Sequence, residues 1–229
     1  MRKATGSVTD SKAASTALAR RLAAIIAIVA ATAVAVQLGM NLARAVEQGK
    51  PLWMVPIDLF GYFTIWTNTL VALVTARFAR GGDSAGLLGR PWVLAAAVVY
   101  IVVVGVIYNT LLAQYNPQVG VRRLLDLIFH TVIPLAYPLW WLTQVPRGRL
   151  GWNALLPTLA FPLAYCFAAM AKGAITGRYA YFFIDLDKYG LVQVLLNSAG
   201  LAALYALLMA VVIAYDRWAG GTIAVEPAE

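Results

Sequence analysis

With 229 residues, 62% of them hydrophobic, 12% charged and a mean hydropathy of +0.75, the chain has too little charge for an ordinary water-soluble domain and points to a protein dissolved in lipid. Its net charge of +8 is spread between apolar runs rather than gathered on one face with exposed aromatics, so it sets topology, and no nucleic-acid partner is expected. The single cysteine, Cys166 in FPLAYCFAAM, excludes an intrachain disulfide and a thiolate metal cluster.

In chain order, residues 1 to 19 are rich in Ala, Ser and Thr and are expected to form a disordered tail. Apolar runs long enough to cross about 30 Å of hydrocarbon follow. The first is Leu22–Ala43, preceded by Arg20 and Arg21. Its small-residue stretch ATAVA would also suit a signal peptide, but the run outlasts a signal core, so a retained helix is expected. The others are Val55–Ala76, Pro91–Ala113, Leu124–Thr143, Trp152–Ala171 and Gly190–Tyr215. Short connections such as RFARGGDSAGLLGRP and QVPRGRLG carry breakers and charge. Residues 218 to 229 form a second short tail. The expected fold is all-α, a polytopic membrane protein whose residues 20 to 217 make one bundle of six transmembrane helices. The lipid bilayer is its surrounding partner.

An even number of spans puts both termini on one side. If that side is the cytoplasm, Arg44, Lys50, Arg122, Arg123, Lys172, Arg178 and Lys188 lie outside, 7 of the 18 Lys and Arg, and the other 11 lie inside. Both tails are therefore expected to be cytoplasmic.

Polar side chains within the spans gather at one depth. Thr64 lies about eight residues into the second span from its outer end and His130 about nine into the fourth, roughly 12 and 13 Å deep at 1.5 Å per residue. Asn41, Asn109 and Asn197 fall in the same outer half. Asn68 follows Thr64, and Asp126 precedes His130, at the i,i+4 separation that puts two side chains on one helical face. Pro134 has no N–H to give the carbonyl of His130, so a kink is expected where the chain's one histidine sits.

A hydroxyl and an imidazole at equal depth are the minimum for nucleophilic acyl transfer, with His130 as general base for Thr64. Asp126 would orient the imidazole, and the amides of Asn68, Asn109 or Asn197 would face a developing oxyanion. Each residue also has a structural reading. Threonines in membrane helices bond their own backbone, asparagines tie helices together, and Asp126 can pair with Arg122. With one histidine, a bis-histidine haem and a histidine-rich metal centre are excluded, and no Gly-rich phosphate loop appears. No cofactor or metal is expected. The aromatic PLWWL and the tyrosines of YAYFF read as an interfacial belt.

Three motifs carry a resemblance: GYFTIWTN in the second span, FHTVIPL in the fourth and GRYAYFFIDLDKYG before the last. Together they resemble the androgen-induced, FAR-type family of integral membrane hydrolases over roughly residues 57 to 190. The resemblance implies a bacterial relative in the cytoplasmic membrane and a threonine hydrolase of lipid esters, such as fatty-acid esters of hydroxy fatty acids. It also implies Thr64 as nucleophile and His130, in HTVIP, as base. Thr67, one turn on, is a second candidate nucleophile, and the two aspartates of YFFIDLD depart from the more apolar, proline-containing segment expected there. The alternative is non-enzymatic: a transporter or binding protein for a lipid or small molecule.

Overall fold

The computed structural model describes the backbone of residues 4–81, 86–115 and 117–223, with side chains from Thr16 to Gly221 within those stretches. All regular structure among the described residues is helical. Helix α1 is Ala4–Glu47, α2 Met54–Leu59 and α3 Phe63–Ala79. Helix α4, Pro91–Ile107, runs on through a π turn at Tyr108–Leu112. Helix α5, Val121–Leu127, is joined by a second π turn, Ile128–Val132, to α6, Ile133–Gln144. Helices α7, Leu155–Thr176, and α8, Leu186–Ile223, complete the chain, α8 bending at Gly190, where φ is 72°. The tail expected to be disordered at residues 1–19 is helical from Ala4 onward, as the start of α1, and α8 carries on to Ile223, into the tail expected at 218–229; residues 1–3 and 224–229 lie outside the described residues.

Five helical stretches are long and apolar enough to cross a membrane: Thr16–Glu47, Pro91–Tyr115, Val121–Gln144, Trp152–Thr176 and Leu186–Gly221. They match five of the six expected spans. The remaining one, Val55–Ala76, is not continuous, because Tyr62 is extended (φ −107°, ψ 130°) and ends the hydrogen-bond ladder between α2 and α3. A broken helix in an apolar medium is tolerated only if the released backbone groups find partners. Here they do. The Phe60 carbonyl accepts from the Trp66 indole at 2.6 Å and the Gly61 carbonyl from the Tyr165 hydroxyl at 2.7 Å, while the Phe63 N–H donates to the Tyr181 hydroxyl at 3.1 Å.

Helix α4 is apolar all round and therefore central, with nearly every residue from Val93 to Gly105 buried against α3, α6 and α8. Helix α1 packs along α3 and α6, and α7 pairs with α8. Outward positions keep large apolar side chains bare, among them Leu135 at 67%, Leu156 at 77% and Leu207 at 63% exposure, a surface suited to lipid rather than water.

At the end of the bundle expected to face the cytoplasm, Asp216 of α8 is 1% exposed and clasps the α6–α7 connection. Its carboxylate accepts the N–H groups of Arg149 at 2.8 Å and Leu150 at 2.9 Å, and its carbonyl accepts that of Gly148 at 3.0 Å. Arg147 of the same connection lies 3.9 Å above the Trp141 ring and donates to the Trp141 carbonyl. Asp216→Ala strips the buried Leu150 N–H and the half-buried Arg149 N–H of a charged acceptor, so a loss of about 3 kcal/mol in unfolding free energy is expected. Denaturant unfolding in detergent micelles measures it.

Candidate active site

The site begins with how the sequence places Thr64. Phe63, first residue of α3, is held by the rings of Tyr100, Phe161, Tyr165 and Tyr205, with centroids 5.1 to 6.0 Å away. That aromatic socket fixes the start of α3, and Thr64 follows within its first turn. The Tyr181 hydroxyl, which takes the Phe63 N–H, also faces the Thr64 side chain and the Tyr165 hydroxyl. Burial raises the pKa of the Tyr181 phenol, so it keeps its proton at neutral pH and remains a donor.

His130 is placed by a different backbone event. Pro134 leaves the His130 carbonyl without its helical donor, and the chain answers with the π turn Ile128–Val132 rather than a simple kink. The orphaned carbonyl accepts from Asn109 Nδ2 at 2.8 Å, on the π turn of α4, and the same amide reaches the Gly105 carbonyl at 2.8 Å. The two π turns lie side by side because residue 105 is glycine: a Cβ there would sit 2.7 Å from Pro134 Cβ. From α3, Asn68 Nδ2 donates to the Thr64 carbonyl at 2.9 Å and leans on the Phe129 carbonyl at 3.4 Å.

The result brings three of the expected residues together. Thr64 Oγ lies 3.5 Å from His130 Nε2, and His130 Nδ1 lies 3.1 Å from the Asp126 carboxylate and 3.0 Å from the Asp126 carbonyl. Both partners of Nδ1 can only accept, so the neutral ring carries its proton there and turns an unprotonated Nε2 toward Thr64. Tyr108 stacks flat on the imidazole, centroids 3.4 Å apart and planes 9° from parallel, with its hydroxyl toward Asp126. An apolar cleft opens from Thr64 between α3, α4, α7 and α8, enclosing about 790 Å³ with its open mouth and lined by side chains including Val104, Leu159, Leu163, Leu201 and Ala202. A base with a free lone pair, an oriented ring and a hydroxyl at the head of an apolar cleft form the apparatus for acyl transfer.

Other expected residues stand elsewhere. Thr67 is fully buried and its hydroxyl has no hydrogen-bond partner among the described residues, so Thr64, not Thr67, meets the imidazole. The Asn68 and Asn109 amides are spent on main-chain carbonyls. Asn197 donates to the Phe183 carbonyl at 2.8 Å and so ties α8 to the α7–α8 connection, and Asn41 pairs with Gln37 at 2.9 Å on α1. No cluster of three or more His, Cys, Asp or Glu that could hold a metal is present among the described residues.

Two tyrosines escaped the sequence reading. Tyr108 had no signal beyond lying one residue before Asn109. Tyr181 was expected in an interfacial belt yet turns inward, while Tyr179 packs on Gly173. The departure noted in YFFIDLD has a local cause: the Asp185 carboxylate caps α8 by accepting the Lys188 N–H at 3.0 Å.

Comparison with protein-family models, with curated proteins and with solved structures returns no match to this chain. The functional reading therefore stands on this geometry and on the motifs.

The two amides should differ in weight. Asn68 is fully buried, so Asn68→Ala is expected to cost about 2 kcal/mol, whereas Asn109→Ala, at a more open position, should cost about 1 kcal/mol. Paired denaturant unfolding curves in one detergent decide the order.

Proposed function

We propose that the chain is an integral membrane threonine hydrolase that cleaves lipid esters, with Thr64 as nucleophile, His130 as general base and Asp126 as the group that orients the base. The observation that carries the reading is the line of contacts from Thr64 Oγ through His130 to Asp126 at the head of an apolar cleft. The motif resemblance to the FAR-type family supports the same two residues and fatty-acid esters of hydroxy fatty acids as a substrate class. In this reading the chain has six spans, α2 and α3 together making the broken one. Both termini lie on the cytoplasmic side of a bacterial inner membrane.

In the reaction, Thr64 Oγ attacks the ester carbonyl carbon as His130 Nε2 takes its proton, and the carbonyl π pair moves onto oxygen. Collapse of the tetrahedral intermediate re-forms the carbonyl and expels the alcohol, which takes the proton back from Nε2. Water then adds to the acyl-Thr64 carbonyl, giving a proton to Nε2. The fatty acid leaves as Thr64 Oγ recovers that proton. The cleft holds the acyl chain out of water, and Tyr108 and Asp126 keep the ring from rotating away.

Hydrolysis of p-nitrophenyl laurate by the purified protein, with peptide mapping after a fluorophosphonate probe, tests this. His130→Ala is expected to lower kcat about 10²–10⁴-fold, and Thr64→Ala to abolish labelling, with melting temperatures near wild type. Asp126→Asn should cost less than His130→Ala, because the Asp126 carbonyl still accepts the Nδ1 proton. A folded wild-type protein that neither turns over nor labels at Thr64 would instead favour the carrier reading.

A further inference from the structure

Attack at a carbonyl leaves negative charge on an oxygen close to Thr64 Oγ, and catalysis of this kind needs a donor held ready for it. The asparagines expected in that role are engaged elsewhere. Asn68 serves the carbonyls of Thr64 and Phe129, Asn109 those of Gly105 and His130, and Asn197 that of Phe183. The proton on His130 Nδ1 belongs to Asp126, and the Trp66 indole belongs to the Phe60 carbonyl. The Tyr108 hydroxyl is turned toward the Asp126 carboxylate. The Tyr165 proton is given to the Gly61 carbonyl at 2.7 Å.

Among the described residues, a further donor stands beside Thr64. The Tyr181 hydroxyl lines the same cleft and faces the Thr64 side chain. Its oxygen is already occupied as an acceptor by the Phe63 N–H at 3.1 Å. The phenol proton is thereby directed away from the backbone, toward Thr64 Oγ or the Tyr165 oxygen. Both are weak neutral acceptors that a developing oxyanion would displace, since hydrogen bonds to charged acceptors are roughly twice as strong.

We propose that Tyr181 is a catalytic residue, the oxyanion donor of this site; the proposal rests on the Thr64 and His130 reading. Tyr181 moves no proton in net terms. It donates a hydrogen bond that is weak to the ground-state carbonyl and strong to the tetrahedral oxygen, while the proton transfers stay with His130. The phenol is held in place from two sides, by the Phe63 N–H and by a stacked contact with Phe183, centroids 5.2 Å apart. This is the preorganisation that makes such a donor effective.

The test uses the full-length protein in detergent, with p-nitrophenyl laurate as substrate and the fluorophosphonate probe as a mimic of the tetrahedral state. Tyr181→Phe is expected to lower kcat about 10²–10³-fold with KM changed less than about threefold, and to slow Thr64 labelling in parallel. Tyr137→Phe, which removes a buried hydroxyl from its bond to the Leu94 carbonyl outside the cleft, controls for lost stability. It is expected to lower the melting temperature while keeping kcat within about threefold of wild type. Wild-type kcat in Tyr181→Phe, with Thr64 still labelled, overturns the assignment and leaves the Thr64 nucleophile standing. A Tyr137→Phe loss as large as that of Tyr181→Phe assigns the effect to stability and overturns it too. Absence of wild-type labelling and turnover overturns the nucleophile reading, and Tyr181 falls with it.

Discussion

In an apolar medium a backbone N–H or carbonyl without a partner costs several kcal/mol, and this chain breaks its helical ladders in several places. Pro134 orphans the carbonyl of residue 130, Pro162 that of residue 158, and the extended Tyr62 releases groups on both sides of itself. Each of these breaks is answered by side chains from elsewhere in the fold. Asn109 meets the His130 carbonyl, Tyr100 the Thr158 carbonyl at 2.6 Å, Tyr165 the Gly61 carbonyl and Tyr181 the Phe63 N–H. These bonds are polar fasteners in a bundle whose packing is otherwise mostly apolar.

The candidate site grows out of those repairs. Each donor that crosses to satisfy a broken ladder brings its own helix into register with the break. The Asn109 bond sets α4 against the π turn that carries His130, and the Gly105 contact with Pro134 sets how close the two may come. The Tyr165 and Tyr181 bonds pin α7 and the α7–α8 connection to the first turn of α3, which carries Thr64. Thr64 and His130 therefore meet where the backbone departs from the standard helix and side chains gain directions a regular span would deny them.

This explains how far the sequence could be read. Apolar run length located five spans closely, because lipid imposes a length on them. It missed the division of the second, since GYF carries neither proline nor charge to mark an end. Rise per residue placed Thr64 and His130 at one depth without placing them face to face, because depth depends on counting and rotation on packing. The Pro134 argument named which carbonyl would be freed. It could not name Asn109 as the donor, a residue of another helix whose approach depends on Gly105. The tyrosines of YAYFF looked interfacial by composition, whereas Tyr181 is recruited inward by the Phe63 N–H, a group that needs a partner only because the second span breaks.

That last dependence separates scaffold from chemistry. Asn68 and Asn109 carry amide donors of the kind an oxyanion hole uses, yet the backbone claims their protons. A main-chain carbonyl near Pro134 is always present, whereas a substrate is not, so the permanent debt is settled ahead of the transient one. Asp126 obeys the same hierarchy from the other direction. Its carbonyl and carboxylate both accept at Nδ1, so the proton on that nitrogen is doubly held and the lone pair on Nε2 is left without a competing donor except Thr64. The groups left after the backbone is satisfied are the Thr64 hydroxyl and the unprotonated His130 nitrogen, with the Tyr181 phenol beside Thr64 on an apolar cleft, and the proposed acyl transfer would draw on these groups.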